Sequence, residues 1–234
     1  MDSRNIKSYK KKFHSTINFL KKKKKVLFIT TSNRWSGDKE KPKSTKLAYE
    51  LKKYLKNATI IEVPKLNIFN CEGNVSTRKG NKCGEKSAKL KDKRKNPSGF
   101  HRCWASINNP KDELWKISKP LFESDCVIFF GSIRWGQANA YYQKLIERLT
   151  WIENMHSTLG EKNIISDIDA GVIFIGQNWN GKNVISTQKK VLKYYGFKTP
   201  RTISWNWQYT SKINDETNES YKNSYLRFKD TFIE

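Results

Sequence analysis

The sequence predicts an α/β fold, a doubly wound parallel sheet of five strands with helices on both faces. Two observations predict it. Short apolar runs, which are typical of strands buried in a parallel sheet, alternate along the chain with segments of helical periodicity. The chain has 234 residues, which is enough for one sizeable core, and it shows no internal repeat. We therefore expect a single domain with insertions.

Each strand is predicted from a short run of apolar or β-branched residues. The expected strands are Val26–Thr30, residues 58–63, residues 126–130, residues 170–175 and a stretch at residues 199–207. The first is the run VLFIT, which is apolar throughout except for its last residue. Such a run fits a central strand that is covered on both faces.

The helices are predicted between the strands, where apolar residues recur three and four positions apart. They are residues 44–57, a segment that starts at Pro110 with Asn109 as its cap, residues 137–152, residues 183–195 and a closing helix with Tyr221, Tyr225, Phe228 and Phe232 on one face. Pro120 is expected to interrupt or kink the second helix, because proline cannot donate a backbone hydrogen bond. Gly196 is expected to end the fourth.

Two segments lie outside this alternation. Residues 1–25 form a lysine-rich, basic N-terminal arm, in which a short helix is expected around residues 14–20. Residues 26–234 are then predicted to be a single domain. Within it, residues 64–109 are polar and basic and are punctuated by Gly, Ser and Asn, so they indicate a long inserted loop.

The chain is strongly basic, with 46 Lys and Arg against 22 Asp and Glu and a formal net charge of +24. This balance favours a polyanion, an anionic membrane surface or an anionic cofactor as a partner. A coding bias toward Lys, Asn and Ile is an alternative explanation of the same charge. The charge therefore narrows the class of ligand without identifying it.

Targeting signals and cysteines bear on the compartment. No run approaches the roughly 18 apolar residues of a membrane helix, and the apolar part that follows KKKKK is shorter than the roughly 7 to 15 residues of a signal peptide. Four cysteines in a chain of this size do not make a disulfide framework. We expect a reduced, cytoplasmic protein without a membrane span.

Three predicted loops at the carboxyl ends of strands each carry a tryptophan. These are Trp35 in TSNRWSGD, Trp135 in GSIRWGQANA and Trp179 in GQNWNGKN. In a doubly wound sheet such loops converge on one edge, near the point where strand order reverses and where ligands bind. Three convergent aromatic residues indicate a flat ligand on which they can stack.

The first of these loops also offers groups for an anion. Ser32, Arg34, Ser44 and Thr45 surround the expected start of a helix, and hydroxyls and N–H groups at a helix N-terminus suit a phosphate. Neither a Walker motif nor GxGxxG occurs in the sequence. A phosphate, a flat ring and a five-stranded doubly wound sheet together predict flavin mononucleotide (FMN).

From Val26 to Gly181 the chain resembles the flavodoxin-like NAD(P)H-dependent FMN reductases and their iron–sulfur flavoprotein relatives. GSIRWGQANAYYQKLIER is similar to the family's flavin-ring loop and following helix, S-P-V-Y-W-G-x-x-x-A-x-x-K-x-x-I-D-R. TSNR…STKLAYEL resembles its phosphate loop, and LNIFNCEGN…C resembles its cysteine-bearing segment. The first of these three matches is the most specific.

The resemblance implies a set of cofactor-binding residues. Those for the phosphate are Ser32, Arg34, Ser44 and Thr45; those for the ring are Ser132, Ile133, Arg134, Trp135 and Gly136; those that close the other side are Gly176, Gln177, Asn178 and Trp179. Arg134 stands where the family has an aromatic residue, and Ser132 where it has proline. Because a guanidinium stacks on rings and pairs with phosphates, Arg134 is expected to serve either the flavin or the nicotinamide dinucleotide.

The predicted function is that of an FMN-binding oxidoreductase that passes hydride from NAD(P)H through bound FMN to an acceptor such as a flavin, a quinone or a nitro compound. No side chain is expected to be catalytic, because the cofactor carries the reactive atoms. The resemblance also implies a homodimer.

Three alternatives remain open from the sequence. One is a nucleic-acid-binding protein, which the charge and the interleaved Trp and Tyr suit, although the tryptophans lie on the sheet-edge loops and much of the charge lies in the arm and the insert. Another is a non-enzymatic flavodoxin-type electron carrier, but the resemblance implies that such carriers are usually smaller and acidic. The last is a binding module that keeps the fold without FMN.

Cys71, Cys83, His101 and Cys103 in the insert have the ligand types of a tetrahedral zinc site. Their spacing lacks the short C-x₂₋₄-C turn that holds two ligands before a metal arrives, and it also lacks the compact cysteine run of an iron–sulfur site. We therefore predict reduced thiols and no metal, with zinc and a cluster as alternatives.

Overall fold

The computed structural model describes residues 3–34, 40–176, 179–210 and 215–233, and it has a central parallel sheet. The strands are β1 (Val26–Thr30), β2 (Ala58–Glu62), β3 (Cys126–Arg134), β4 (Gln137–Ala138), β5 (Asp169–Gly176) and β6 (Trp205–Gln208). Five of them lie parallel in the order β2-β1-β3-β5-β6, and β4 pairs antiparallel with the end of β3. This is the flavodoxin-like doubly wound order, in which the switch point lies between β1 and β3. The predicted fold class is confirmed.

Helices cover both faces of the sheet. They are α1 (Ser3–Leu20), α2 (Lys43–Lys53), α3 (Trp104–Asn108), α4 (Trp115–Phe122), α5 (Ala140–Ser157), α6 (Gly181–Tyr194) and α7 (Asn218–Phe232). Within β1, Leu27 and Ile29 join an apolar cluster with α4, α5 and α6, whereas Val26 and Phe28 join a second cluster with α1, α2 and α7. This alternation follows from the two-residue period of a strand, and it places one core on each face.

The N-terminal segment is more ordered than the sequence indicated. A short helix was expected around residues 14–20, but α1 begins at Ser3 and runs for 18 residues. Phe13, Ile17 and Leu20 are buried against the sheet, because residues three and four apart share one face of a helix. Thr16 accepts a hydrogen bond from Trp205 Nε1 at 3.1 Å, which ties α1 to β6.

The insert is a largely irregular chain, and a buried ion pair that includes Asp112, just after it, helps to hold it in place. Arg148 of α5 has a fully buried side chain, and it donates to both carboxylate oxygens of Asp112 at 2.8 and 2.9 Å. It also donates to the carbonyl oxygen of Phe69 at 2.6 Å. Burial alone would raise the pKa of Asp112, but the hydrogen bonds from Arg148 and Ser106 outweigh it and lower that pKa. The insert is therefore fixed to the domain from within.

The second helix was predicted to start at Pro110, and this predicted start is wrong. The chain turns at Pro110, Asn109 is instead the C-cap of α3, and α4 begins at Trp115. The reason is Asp112, whose carboxylate is engaged by Arg148 and by the backbone N–H of Phe69. Pro120 lies inside α4, which ends two residues later, as expected from its missing N–H.

Other boundaries shift by a few residues. The helix predicted to begin at residue 137 begins at Ala140, because Gln137 and Ala138 pair with β3 as β4. α6 begins at Gly181 instead of residue 183. β1 has the predicted bounds. Across the described ranges, each helix is either too short or too polar to cross a bilayer.

Candidate functional site

A cleft of about 580 Å³ opens where the loops after β1, β3 and β5 meet. This is the switch point of the sheet, where the carboxyl ends of adjacent strands lead away in opposite directions. The residues predicted for cofactor binding that line it are Ser32, Arg34, Ser44, Ser132, Ile133, Arg134, Trp135 and Gly176. The structure therefore brings together residues from three separate loops.

One end of the cleft is formed by the start of α2. Ser44 Oγ donates to Ser32 Oγ at 2.7 Å, and both side chains are buried. The first turn of α2 has no acidic residue, and its N-cap position is Pro42, which makes no side-chain capping bond within the described chain. An uncapped helix N-terminus carries partial positive charge and directs N–H groups outward. Two hydroxyls thus lie beside a positive helix end.

This end of the cleft also carries positively charged side chains. Lys43 lines the cleft. Burial lowers the pKa of Lys43, and the charges of Arg34 and Lys46 lower it further against the opposing effect of Glu40. Glu40 Oε2 lies 3.6 Å from Arg34 Nη1, and Glu40 Oε1 lies 3.7 Å from Lys46 Nζ. Among the described residues here, three cations surround one carboxylate, and this excess of positive charge favours an anionic group.

The other end is formed by the hairpin between β3 and β4. Arg134 pairs with Gln137, so Trp135 and Gly136 form a two-residue turn. Their φ angles are 49° and 68°, as a type I′ turn requires at both positions. The Trp135 side chain is 84% exposed. A left-handed, exposed tryptophan is unfavourable for the fold alone, and such strain clusters at functional sites.

Two isoleucines and a glycine line this end of the cleft. Ile133 and Ile175 are buried there. A Cβ atom on Gly176 would lie 2.7 Å from Ile133 Cβ, so only glycine fits at this position. The Tyr209 and Tyr221 rings also line the cleft and lie 6.4 Å apart between centroids, and Lys43 Nζ lies 5.5 Å from the centre of the Tyr209 ring. The arrangement accommodates a planar group between apolar and aromatic surfaces.

The charge of Arg134 acts on Tyr221. Burial raises the pKa of Tyr221, Glu216 raises it further, and Arg134 opposes them by lowering it. Arg134 is exposed and lines the cleft together with Tyr221 and Glu216. Its guanidinium therefore lies at the mouth of the cleft, near the tyrosine pair.

Asn139 was missed by sequence reasoning and holds two of these loops together. Its Oδ1 atom accepts hydrogen bonds from the Ser132 N–H at 3.0 Å and the Thr31 hydroxyl at 3.1 Å. Its Nδ2 atom donates to the Thr31 carbonyl at 2.8 Å. Asn139 directly precedes α5, so the sequence pattern made it part of that helix. Lys43, Tyr209, Glu216 and Tyr221 also line the cleft and were not predicted.

Other predicted residues lie elsewhere in the structure or outside the described ranges. Thr45 is buried within α2 and does not line the cleft. Gly136, the second residue of the hairpin turn, does not line the cleft, and an added Cβ there would come within 2.8 Å of the Trp179 ring. Trp179 is 54% exposed and lines a neighbouring groove. The remaining predicted residues lie outside the described ranges: Trp35, Gln177 and Asn178.

The zinc candidates in the insert have other partners. His101 is buried, and its Nδ1 and Nε2 atoms lie 2.7 Å and 2.9 Å from the hydroxyls of Ser118 and Ser106. Burial lowers the pKa of His101 to about 4. The cysteines are free thiols, and burial raises the pKa of Cys83 to about 11. Among the described residues, no group of three or more His, Cys, Asp or Glu side chains is arranged to hold a metal ion.

Comparison with known proteins finds similarity of fold. The sequence matches no protein-family model and no curated protein. The crystal structure of RosB with the bound intermediate 8-demethyl-8-formylriboflavin-5'-phosphate matches with a TM-score of 0.57 and 14% identity, over 89% of this chain and 77% of that one. An azoreductase from Bacillus anthracis str. Sterne gives a TM-score of 0.48 and 13% identity, over 88% and 96% of the two chains. The first of these supports the flavodoxin-like fold.

Proposed function

We propose that the protein is an FMN-binding oxidoreductase that passes hydride from NAD(P)H through bound FMN to an acceptor. The observation that carries this proposal is the cleft, whose two ends are chemically unlike. One end has hydroxyls, cations and a helix N-terminus, and the other has an apolar floor and aromatic side chains. FMN joins a phosphate to a flat ring, and the cleft volume of about 580 Å³ lies within the usual range for cofactor sites.

The phosphate belongs at the start of α2. There the Ser32 and Ser44 hydroxyls, now bonded to each other, would turn toward the phosphate oxygens. The N–H groups of the first turn of α2 would donate to the same anion. Lys43 adds a charge-assisted hydrogen bond, which is about twice as strong as a neutral one. Neutral riboflavin would gain none of these charge-based contacts.

The ring belongs over Ile133 and Gly176. Bound FMN supplies hydride acceptance and donation, which no side chain of the chain offers. The protein positions and shields the ring. Asn139 fixes the loop at Ser132 against the end of β1, so the ring-binding surface is held before the cofactor arrives. Trp135 covers the mouth, and its exposed indole gains an apolar partner when a ring binds.

The nicotinamide dinucleotide belongs at the mouth of the cleft, beside Arg134. The exposed guanidinium lies where an anionic co-substrate would approach the ring. Its replacement, Arg134→Ala, is expected to raise the KM for NAD(P)H while FMN content stays unchanged. A variant that loses FMN and keeps a normal KM would assign Arg134 to the flavin instead.

The experiment that tests the proposal starts from the colour of the purified protein. A flavin absorption spectrum, with FMN released on heating, is the expected result. Steady-state oxidation of NADH and NADPH with quinone, nitro and free-flavin acceptors then separates an enzyme from an electron carrier. A colourless protein that takes up no added FMN would overturn the proposal. The homodimer implied by the resemblance is part of this proposal, and light scattering tests it.

A further inference from the structure

A second concavity, of about 940 Å³, lies next to the cleft. We call it the basic groove; it lies between α1, the start of α6 and the chain around β6, and it is defined by Tyr9, Lys11, Lys12, Trp179, Lys182 and Arg201. Of these residues, only Trp179 was predicted from the sequence to bind a ligand, as part of the flavin site. The three elements come from distant parts of the chain, so the fold alone brings their charges together.

The charges in the basic groove are all of one sign. Lys11, Lys12, Lys182 and Arg201 line it, and no carboxylate is among its described lining residues. Throughout the described ranges, these four side chains form no ion pair. Partial burial lowers the pKa of Lys12, and the nearby Lys182 charge lowers it further. Like charges that face one concave space repel one another until an anion enters.

The basic groove adjoins the cleft along two walls. Trp179 lines the groove, and its ring lies against Gly136, the neighbour of Trp135 in the cleft. Gln208 lines the groove, whereas the next residue, Tyr209, lines the cleft. A ligand that reaches out of the cleft beside Trp135 therefore enters the groove next to Trp179.

We propose that the basic groove holds the phosphorylated adenosine end of NADPH and so makes the protein prefer NADPH to NADH. This inference rests on the proposed function. A dinucleotide whose nicotinamide lies in the cleft must lay its adenosine end on the adjoining surface. The additional 2′-phosphate of NADPH is a phosphomonoester, which carries about −1.5 to −2 charge at neutral pH, and it would meet the side chains of Lys11, Lys12, Lys182 and Arg201 there.

Two further features of the basic groove fit this ligand. Trp179 is half-exposed at the shared rim, and its indole offers a flat surface on which adenine can stack. The groove also contains the start of α6, at Asn180 and Gly181, where helix N–H groups favour an anion. The concave shape and the volume of about 940 Å³ suit a small ligand. A nucleic acid strand is the competing partner for the same charges.

Binding of 2′,5′-ADP to the whole protein tests the inference without relying on activity. In calorimetry, we expect 2′,5′-ADP to bind at least about tenfold more tightly than 5′-AMP, since a hydrogen bond to a charged group has about this value. The double variant Lys12→Met/Lys182→Met should lose that preference. Lys93→Met/Lys222→Met is the matched control, because both lysines are exposed and lie outside the groove.

Three results would overturn the inference. The first is equal affinity for 2′,5′-ADP and 5′-AMP, and the second is an equal loss of affinity in the control variant. The third is displacement of 2′,5′-ADP by a 20-nucleotide oligothymidylate at physiological salt, which would make the groove a nucleic-acid surface. FMN uptake is measured on the same samples. Normal FMN uptake without 2′,5′-ADP preference contradicts only the groove assignment, whereas absence of FMN uptake contradicts the proposed function.

Kinetics give a second readout in the flavin-loaded protein. We expect Lys12→Met/Lys182→Met to raise the KM for NADPH about tenfold more than it raises the KM for NADH. This follows because only NADPH carries the 2′-phosphate. An equal rise in KM for both dinucleotides would show that the lysines do not discriminate between them, and it would overturn the preference.

Discussion

Positively charged side chains have different surroundings in two regions of the molecule, the buried ion pair beside the insert and the basic groove. Arg148 is fully buried and directs its guanidinium to Asp112 and to a backbone carbonyl. Lys12 and Lys182 face a concave surface without an ion pair within the described ranges. A buried charge destabilises the fold when its charged partner is removed. A charged side chain that lines a concave surface can still bind a ligand. The buried pair therefore stabilises the fold, whereas the lysines of the basic groove are available to bind an anion.

The zinc candidates of the insert also differ from the residues of the basic groove, because they have partners within the protein. His101 and the nearby cysteines have the composition of a metal site in the sequence. In the structure, both His101 nitrogens face serine hydroxyls, and Ser106 also donates to Asp112 at 2.7 Å. Polar side chains that are buried together form hydrogen bonds with one another. The insert therefore uses its polar groups to hold itself to α5.

Arg148→Met should give the largest effect on the structural side of the comparison. It removes one partner of a buried ion pair and leaves Asp112 without its main donor, which costs about 3–5 kcal/mol of unfolding free energy. Urea denaturation measures it. The control is Lys198→Met, which breaks the exposed pair with Asp167 and should leave the midpoint unchanged. Equal midpoints for the two variants would show that the buried pair does not anchor the insert.

The pH dependence of the unfolding free energy should reflect the buried groups His101 and Asp112. Burial lowers the pKa of His101 to about 4, so between pH 6.5 and pH 4 the unfolded chain binds a proton that the folded chain does not. Stability should therefore fall as the pH drops through this window, by up to about 3 kcal/mol, and this contribution should level off below pH 4. The contribution of Asp112 is lost at lower pH, because its pKa lies below its usual 3.8.

His101→Gln supplies the control for this pH dependence. Glutamine does not titrate, so the decline between pH 6.5 and pH 4 should become shallower in the variant. Denaturation curves at half-unit pH steps give the comparison. An unchanged slope would mean that another group accounts for the dependence.

On the ligand-binding side, Lys43→Met should weaken FMN about tenfold or more, since a hydrogen bond to a charged group contributes about 1.5–3 kcal/mol. Affinity for riboflavin should not change, because riboflavin has no phosphate. Lys52→Met is the matched control, as Lys52 is exposed in the last turn of the same helix. If both variants weaken FMN equally, the effect comes from overall charge and the assignment of the phosphate to this end is wrong.

Trp135→Asn should have the smallest effect. The loss of one aromatic contact, worth about 0.5–1.5 kcal/mol, should weaken FMN about two- to tenfold. Asparagine tolerates the left-handed conformation that the turn requires, so the melting temperature should be unchanged or higher. Unaltered FMN affinity together with a lower melting temperature would make Trp135 a residue of the turn and not of the site.

Local patterns in the sequence predicted most of the sheet. The run at β1 gave a strand with the observed bounds, because an uninterrupted apolar segment has few alternatives to burial. The start of α1 was missed, since lysines surround its apolar stripe of Phe13, Ile17 and Leu20. The helix expected at Pro110 failed because Asp112 is engaged by Arg148, 36 residues away along the chain. Long-range hydrogen bonds of this kind leave no local pattern.

The residues of the cleft likewise include some that local sequence patterns predicted and some that they did not. Ser32, Ser44 and Trp135 were found because each lies in a loop directly after a strand or at a helix start. Tyr209 and Tyr221 come from the chain after the last strand, and nothing in the sequence tells on which side of the sheet that segment returns. Asn139 was hidden by its place next to a helix. The predictable residues are those that strand order alone brings to the switch point.

Parallel titration of the flavin-free protein with FMN and riboflavin tests the central claim most directly. The claim is that the cleft binds a flat ring at the β3–β4 hairpin and a phosphate at the start of α2. We expect saturable binding of one FMN per chain and binding of riboflavin that is at least about tenfold weaker, since only FMN reaches the cationic end. Equal affinity for the two flavins, or no saturable binding of FMN, would contradict it.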